Sequence, residues 1–86
     1  MSEFRWNEWN LDHATRHGVG RLEAERIVDH PGRGWPRRGG RDKLMVQGRG
    51  EGGRMVQVVY LLDADGTIFI IHAMPLTTRR RRGRRR

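Results

Sequence analysis

Three apolar runs in the second half of the chain alternate with two short turn segments, and this pattern constrains the fold most. The runs are DKLMVQGR (42–49), RMVQVVYLL (54–62) and TIFIIHAM (67–74), which are rich in residues that favour β-sheet. GEGG (50–53) and DADG (63–66) are turn signals that join each run to the next. Because connections this short pair consecutive strands antiparallel, the sequence predicts a three-stranded meander.

The first half of the chain predicts two short helices. Asn7 can cap a helix over about residues 8–17, and Gly18 can supply the left-handed residue that ends it. A second helix is expected over residues 21–29, and Pro31 prevents its continuation. Helices that precede a meander must cover one face of its sheet, so we expect a two-layer α+β domain.

Two segments fall outside these helices and strands. FRW (4–6) predicts a short edge strand, and PGRGWPRRGG (31–40) predicts a loop without regular structure. Trp35 in that loop can stack on a nucleobase or cover the core, and we favour the core. We expect a single domain over residues 1–78, followed by a basic tail over residues 79–86.

The chain is basic, and its charge is concentrated. Of 86 residues, 18 are Lys or Arg and 10 are Asp or Glu, which gives a net charge of +8. Seven of the basic residues lie in the tail RRRRGRRR, and residues 33–54 hold seven basic against two acidic residues. Such blocks favour nucleic acid as a partner, although a solvated tail is the alternative. Seven phosphates neutralised by the tail would give a salt slope of about −5 on a single strand.

Several classes of protein are disfavoured by the composition. The chain has no cysteine, which excludes a disulfide framework, a thiolate zinc site and a cysteine nucleophile. We expect a cytoplasmic protein without membrane contact, because the N-terminus MSEFRWNEW lacks an apolar signal core and no run approaches ~18 apolar residues. Patterns for a phosphate loop, a nucleophile elbow and a zinc-binding helix are missing as well.

Histidines are the remaining candidates for chemistry. Trp6, Asn10, His13 and His17 follow helical spacing, and we interpret this row as one wall of an anion-facing groove. His13 and His17 have the spacing of a metal pair, but only His30 or His72 could add a third ligand, so we expect no metal and no cofactor.

Histidines and cations without a metal suffice for cleavage of RNA by its own 2′-hydroxyl, in which a protein must move protons and stabilise a phosphorane. The residues available for proton transfer are His13, His17 and His72, and those available for charge are Lys43, Arg49 and Arg54. Simpler roles stay open. A histidine at a helix end can complement the helix dipole, and arginines at strand ends can keep a sheet edge soluble.

Several motifs follow one another from Phe4 to about Arg82: FRW, WN…HATRHGV, LEAERIV, RDKLMVQGR, VVY and IFIIHAMPLT. Their order resembles that of the BrnT-type toxins of bacterial type II toxin–antitoxin systems. Arg16-His17-Gly18-Val19 and the strand from Asp42-Lys43 to Gly48 are the most specific of them. This family is similar to the RelE/ParE-like toxins, so the resemblance implies a RelE-like fold and a metal-independent endoribonuclease.

The resemblance also implies site residues and partners. A catalytic groove between the helices and the sheet would be lined by His17, Lys43, Arg49 and His72. Nucleic acid would be bound by His13, Arg16, Arg41, Arg54, Arg79, Arg80, Arg81 and Arg82. The implied partners are RNA, free or on the ribosome, and a cognate BrnA-like, DNA-binding antitoxin that holds two toxin chains.

Two of the chain's departures from the family pattern replace an arginine. Lys43 and Met74 stand where relatives carry arginine, and the change to lysine loses bidentate phosphate geometry. His72, where relatives often carry serine, is a hypothetical compensation. The alternative function is therefore a non-catalytic nucleic-acid-binding or antitoxin-binding domain on the same fold.

Overall fold

The computed structural model describes residues 2–76, which form two helices and a four-stranded antiparallel sheet. This confirms the predicted α+β class and the meander. Arg79 to Arg82 and the rest of the basic tail lie outside the described residues. The elements are α1 (Glu8–Thr15), α2 (Arg21–Asp29), β1 (Arg37–Arg38), β2 (Lys43–Arg49), β3 (Met55–Leu62) and β4 (Ile68–Pro75).

The sheet has the order β1-β2-β3-β4, with every neighbouring pair antiparallel. The turn between β2 and β3 includes a short 3-10 segment, Glu51–Gly53. The prediction of an irregular loop over residues 31–40 was wrong at Arg37–Arg38, which pair with Met45 and Leu44. The Gly39 amide donates to the Lys43 carbonyl at 2.9 Å, so the chain reverses tightly there and adds a fourth strand.

The N-terminal segment pairs with β4 more briefly than predicted. Only Phe4 forms a bridge, parallel to Ile68, flanked by hydrogen bonds from the Arg5 amide to the Ile68 carbonyl and from the Ile68 amide to the Glu3 carbonyl. The next carbonyl on this edge, that of Ile70, accepts instead from the side chain of Asn10 in α1. The pairing stops because the helix occupies the edge beyond it.

The predicted helix start is confirmed, and the predicted end is two residues too late. The Asn7 side chain accepts from the Asn10 amide, and the Asn10 side chain accepts from the Asn7 amide, which forms a reciprocal capping box. The helix ends at Thr15, whose carbonyl accepts from the Gly18 amide. Gly18 has φ +87°, so the reversal after α1 needs a residue that tolerates the left-handed region.

The core lies between the helices and one face of the sheet. Burial alternates along β2 and β3, so the face of the sheet opposite the helices is only partly covered. We call it the open face. Gly48 lets α2 approach closely, because a Cβ there would lie 3.2 Å from Ile27 Cγ2. The fully buried aliphatic side chains are Ala14, Val19, Val46, Val56, Val58, Ile70 and Ala73, and Trp35 packs against this cluster as predicted.

Within residues 2–76, no helix is both long enough and apolar enough to cross a bilayer.

Candidate functional site

The row of α1 residues interpreted as a groove wall does not face a groove. Asn10 is fully buried and holds the helix to the sheet edge, since its amide nitrogen donates to the carbonyls of Arg5 and Ile70. The predicted groove between helices and sheet is also wrong, because aliphatic side chains fill that space. Its candidate residues on β2 and β4 face the opposite, open side of the sheet.

His13 belongs to a stack of side chains beside β4. Its ring lies 3.9 Å from that of Trp9, and its Nδ1–H donates to the Trp9 carbonyl at 2.8 Å. The other side of Trp9 faces Phe69, with 6.1 Å between ring centroids, and the Arg5 guanidinium covers Phe69 at 4.1 Å. Sequence reasoning missed the roles of Arg5, Trp9 and Phe69, although the four-residue spacing of Trp9 and His13 predicts their contact.

The structure brings His17 and His72 together, as the predicted catalytic set requires. Their rings meet edge to face with centroids 5.3 Å apart. His17 lies in the turn after α1 and is exposed, whereas His72 lies on β4 and is half-buried. Burial and the nearby His17 lower the pKa of His72 from its ordinary value. At a given pH, His72 is therefore neutral to a larger extent than a histidine with the ordinary pKa.

A bulge in β4 turns His72 toward the open face. Val59 pairs with His72, but its neighbour Tyr60 pairs with Ile70, so one residue of β4 is left without a partner. Ile70 faces the core before the bulge and Ala73 faces it afterwards. Without the extra residue, strict alternation would place His72 in the core instead of Ala73.

Lys43 and Arg49 lie at opposite ends of β2 and are not brought together. Their six-residue separation corresponds to about 20 Å along the strand. His72 lies level with Met45, because both pair with Val59. Lys43 and Arg49 share the open face with His72, but they reach different places on it. A single phosphate cannot contact both.

Arg54, predicted to bind nucleic acid, is occupied by a buried carboxylate. Its guanidinium donates to Glu23 from Nε at 3.3 Å and Nη2 at 2.9 Å, and Nη2 also donates to the Gly18 carbonyl. Burial by itself raises the pKa of Glu23, but hydrogen bonds from Arg54 and the Glu51 amide outweigh it, so the net pKa is lowered. Arg54 therefore joins the second helix to the β2–β3 turn.

The remaining basic residues of the predicted site differ in whether their side chains already bind another group of the protein. Arg16 forms an exposed ion pair with Asp12 at 2.7 Å on α1. Arg49, which was predicted to be catalytic, donates to the Gly53 carbonyl at 2.7 Å. Arg41 is exposed and lines a cavity of about 430 Å³ at the end of the sheet, together with Lys43 and with Arg38, which sequence reasoning did not select.

No group of three or more His, Asp or Glu side chains is close enough to hold a metal ion within residues 2–76. His13 and His17, the predicted alternative metal pair, make separate contacts with Trp9 and His72. Comparison of the chain with protein-family models, curated proteins and solved structures found no match in any of the three. A function for this chain therefore rests on its own residues and their geometry.

Proposed function

We propose that the protein is a BrnT-type, RelE-like toxin that cleaves RNA in the cytoplasm as a metal-independent endoribonuclease. The observation that carries this proposal is the contact between His17 and His72 at the border of the open face. One of these rings is exposed, and the other has a lowered pKa. The α+β architecture and the motif order of the sequence support the same assignment.

His72 is the proposed general base. Because its pKa is lowered, it is neutral at pH 7 and can accept the proton of an RNA 2′-hydroxyl. The 2′-oxygen then attacks the adjacent phosphorus, and the 5′-oxygen of the next nucleotide leaves. The products of this step are a 2′,3′-cyclic phosphate and a 5′-hydroxyl end.

His17 has a different proposed role from His72. In-line transfer puts the attacking and leaving oxygens on opposite sides of phosphorus. Two rings in contact lie on one side of the phosphate, so this pair does not supply base and acid together. His17 is proposed to donate a hydrogen bond to the phosphorane, and solvent water protonates the leaving oxygen.

Lys43 and Arg49 are proposed to hold phosphates that flank the reacting one. Each shares the open face with His72, and each lies toward a different end of β2. An RNA strand crossing this face would meet the cations on either side of the histidines. Free RNA and ribosome-bound RNA both fit this arrangement.

The proposed protein partner is a BrnA-like, DNA-binding antitoxin that holds two toxin chains. The open face offers it a partly exposed apolar surface bordered by cations, which suits an acidic covering segment because opposite charge speeds encounter. Residues of this face that such a segment would cover are Met45, Val59, Leu61 and Met74.

A non-catalytic nucleic-acid-binding or antitoxin-binding domain is the second candidate. Two observations favour it. Met74 puts an apolar side chain where relatives carry arginine, and the cations of β2 are too far apart to converge on one phosphate. In this case the open face and the tail would bind without cleaving.

Expression in bacteria separates the two candidates. We expect the wild-type chain to arrest growth and to degrade RNA in extracts that contain EDTA. A His17→Ala, Lys43→Ala variant should do neither, whereas Arg21→Ala, Arg26→Ala on the distant surface of α2 should behave as wild type. A double variant as toxic as the wild type would refute the catalytic proposal.

A further inference from the structure

The cavity at the end of the sheet lies where β2 begins and β3 ends. Its volume, about 430 Å³, falls within the range of small-molecule sites, roughly 300–1,000 Å³. Cationic and leucine side chains both line it. A phosphate ion alone would contact only the cationic side chains. The mixed lining therefore indicates a ligand that has both an anionic part and an apolar part.

The cations of the cavity are available to a ligand. Arg38, Arg41 and Lys43 are exposed, and none forms an ion pair with another of residues 2–76. Two carboxylates also line the cavity. One of them, Asp63, is already neutralised by Arg5 at 3.0 Å, so the cavity retains an excess of positive charge.

The apolar wall has the character of a base-binding surface. Leu44, Leu61 and Leu62 line the cavity, and Leu62 is 55% exposed. Leucine side chains have no charge or hydrogen-bond donor with which to bind a phosphate, but they can pack against the flat face of a nucleobase. A nucleotide can make both kinds of contact, because its phosphate can bind the cationic side chains and its base can pack against the leucines.

The cavity lies within reach of an RNA strand that contacts His72. Lys43 and Phe69 both pair with Leu61, whereas His72 pairs with Val59, two residues earlier on β3. Two residues correspond to about 7 Å along a strand, and β2 and β4 lie two strand spacings, about 10 Å, apart across the sheet. A strand held at the histidines can therefore cross β3 and continue into the cavity.

We propose that this cavity, the Arg38–Lys43 pocket, binds one nucleotide of single-stranded RNA next to the nucleotide that is cleaved. The proposal rests on the proposed function and names its substrate as unpaired RNA. A base in a duplex is stacked and paired, so it cannot turn into a wall of leucines.

The first experiment measures binding of a labelled 2′-O-methyl oligonucleotide, about six nucleotides long, to the full-length protein by fluorescence anisotropy. This probe has no 2′-hydroxyl and cannot be cleaved. Arg38→Gln, Arg41→Gln should weaken binding roughly tenfold and reduce the salt slope by about 1.4, the value for contacts with the two phosphates that flank one nucleotide of a single strand. Arg21→Gln, Arg26→Gln removes the same charge from the exposed side of α2 and should leave both quantities unchanged.

The second experiment separates base from phosphate. Leu62→Ser should weaken oligonucleotide binding several-fold without changing the salt slope. Leu22→Ser, which replaces a leucine that is 65% exposed on α2, should have no effect.

Three results would overturn the proposal: arginine variants that match their controls, a Leu62→Ser variant that matches Leu22→Ser, or a glutamate peptide of equal length that competes as well as the oligonucleotide. The last would mean that the pocket recognises an acidic protein segment. If the pocket variants lose oligonucleotide binding while the wild-type protein cleaves no RNA, the nucleotide-binding proposal is supported and the proposed catalytic function is refuted.

Discussion

The imidazole of His72 is half-buried on the open face of the sheet, and it contacts His17. Desolvation opposes its protonation, and a charged neighbour opposes it further, so its pKa in the folded chain is lowered. The same two causes keep it neutral for proton abstraction. Both effects depend on the bulge that turns this residue toward the open face, where it contacts His17.

The first prediction is a pH dependence of stability caused by His72. Its ordinary pKa is 6.5, and the folded value is lower, so the unfolded chain binds the proton first as the pH falls. The free energy of unfolding should therefore be constant above this range and decrease as the pH drops below about 6.5. Urea unfolding of His72→Gln between pH 7.5 and 5 should show a smaller decrease than the wild type. An equal decrease would contradict the assignment.

The second prediction concerns Glu23, which is 4% exposed and accepts three hydrogen bonds from Arg54 and the Glu51 amide. Glu23→Gln should lower the free energy of unfolding by about 2 kcal/mol, because charge-assisted bonds are lost at a buried site. Thermal unfolding measures this change.

Asp12→Asn supplies the control for Glu23, since it removes the carboxylate of an exposed pair and should leave stability nearly unchanged. The lowered pKa of Glu23 also predicts how this stabilisation changes with pH. The stabilisation by Glu23 should be complete above its ordinary pKa of 4.5 and disappear as the pH falls through the folded value. Equal melting temperatures for the two variants would show that the buried pair contributes nothing.

At the scale of elements, hydrogen bonds from the side chain of Asn10 join α1 to the edge of the sheet. Asn10 accepts a bond that caps the helix and donates two bonds, one of which pairs the edge carbonyl of Ile70. This helix is short, so tertiary contacts must hold it. Its position matters for the site, because the turn that follows it carries His17.

The third prediction tests this attachment. Asn10→Asp keeps the acceptor to the Asn7 amide but removes both donors, and it should lower the free energy of unfolding by about 2–3 kcal/mol. Asn7→Asp makes the same chemical change at the helix cap, where a carboxylate also caps well, and should leave stability equal or higher. Denaturant unfolding compares them. Equal losses at the two positions would mean that the bonds to β4 are unimportant.

The sequence predicted the longer elements well because each leaves a local signal. Alternation and turn residues located β2, β3 and β4, and the Asn7 cap located the start of α1. Nothing local marks β1, whose two residues lie among glycines and prolines, or the bulge that turns His72. Asn10 was misjudged because its partner, the Ile70 carbonyl, is 60 residues away. No local signal predicts the contact of His17 with His72, because the two residues are far apart in the chain.

At the scale of the whole molecule, the charge is divided between the folded body and the tail. Seven of the 18 basic residues lie in residues 79–86. In the body, Arg5, Arg16 and Arg54 are committed to ion pairs, whereas the cations of the Arg38–Lys43 pocket are free of ion pairs with residues 2–76. The tail should therefore supply most of the charge-dependent affinity for RNA. The pocket and the open face should determine where on the protein the RNA strand lies.

The fourth prediction is that deletion of residues 79–86 flattens the salt dependence of RNA binding. Seven cations at about 0.7 per phosphate correspond to a slope change of about 5. The melting temperature should stay the same, since the described core uses none of these residues. Titrations of the full-length and shortened chains at several salt concentrations measure the slope, and an unchanged slope would exclude the tail from binding.

The central claim is that His72 removes a proton from RNA on the open face of the sheet. The most direct measurement is the rate at which purified protein forms 2′,3′-cyclic phosphate ends on RNA in EDTA, compared between His72→Gln and His30→Gln. His30 is an exposed histidine at the end of α2. We expect His72→Gln to lose at least about a hundredfold in rate, as for removal of a general base, and His30→Gln to match the wild type. Equal rates in the two variants would contradict the account.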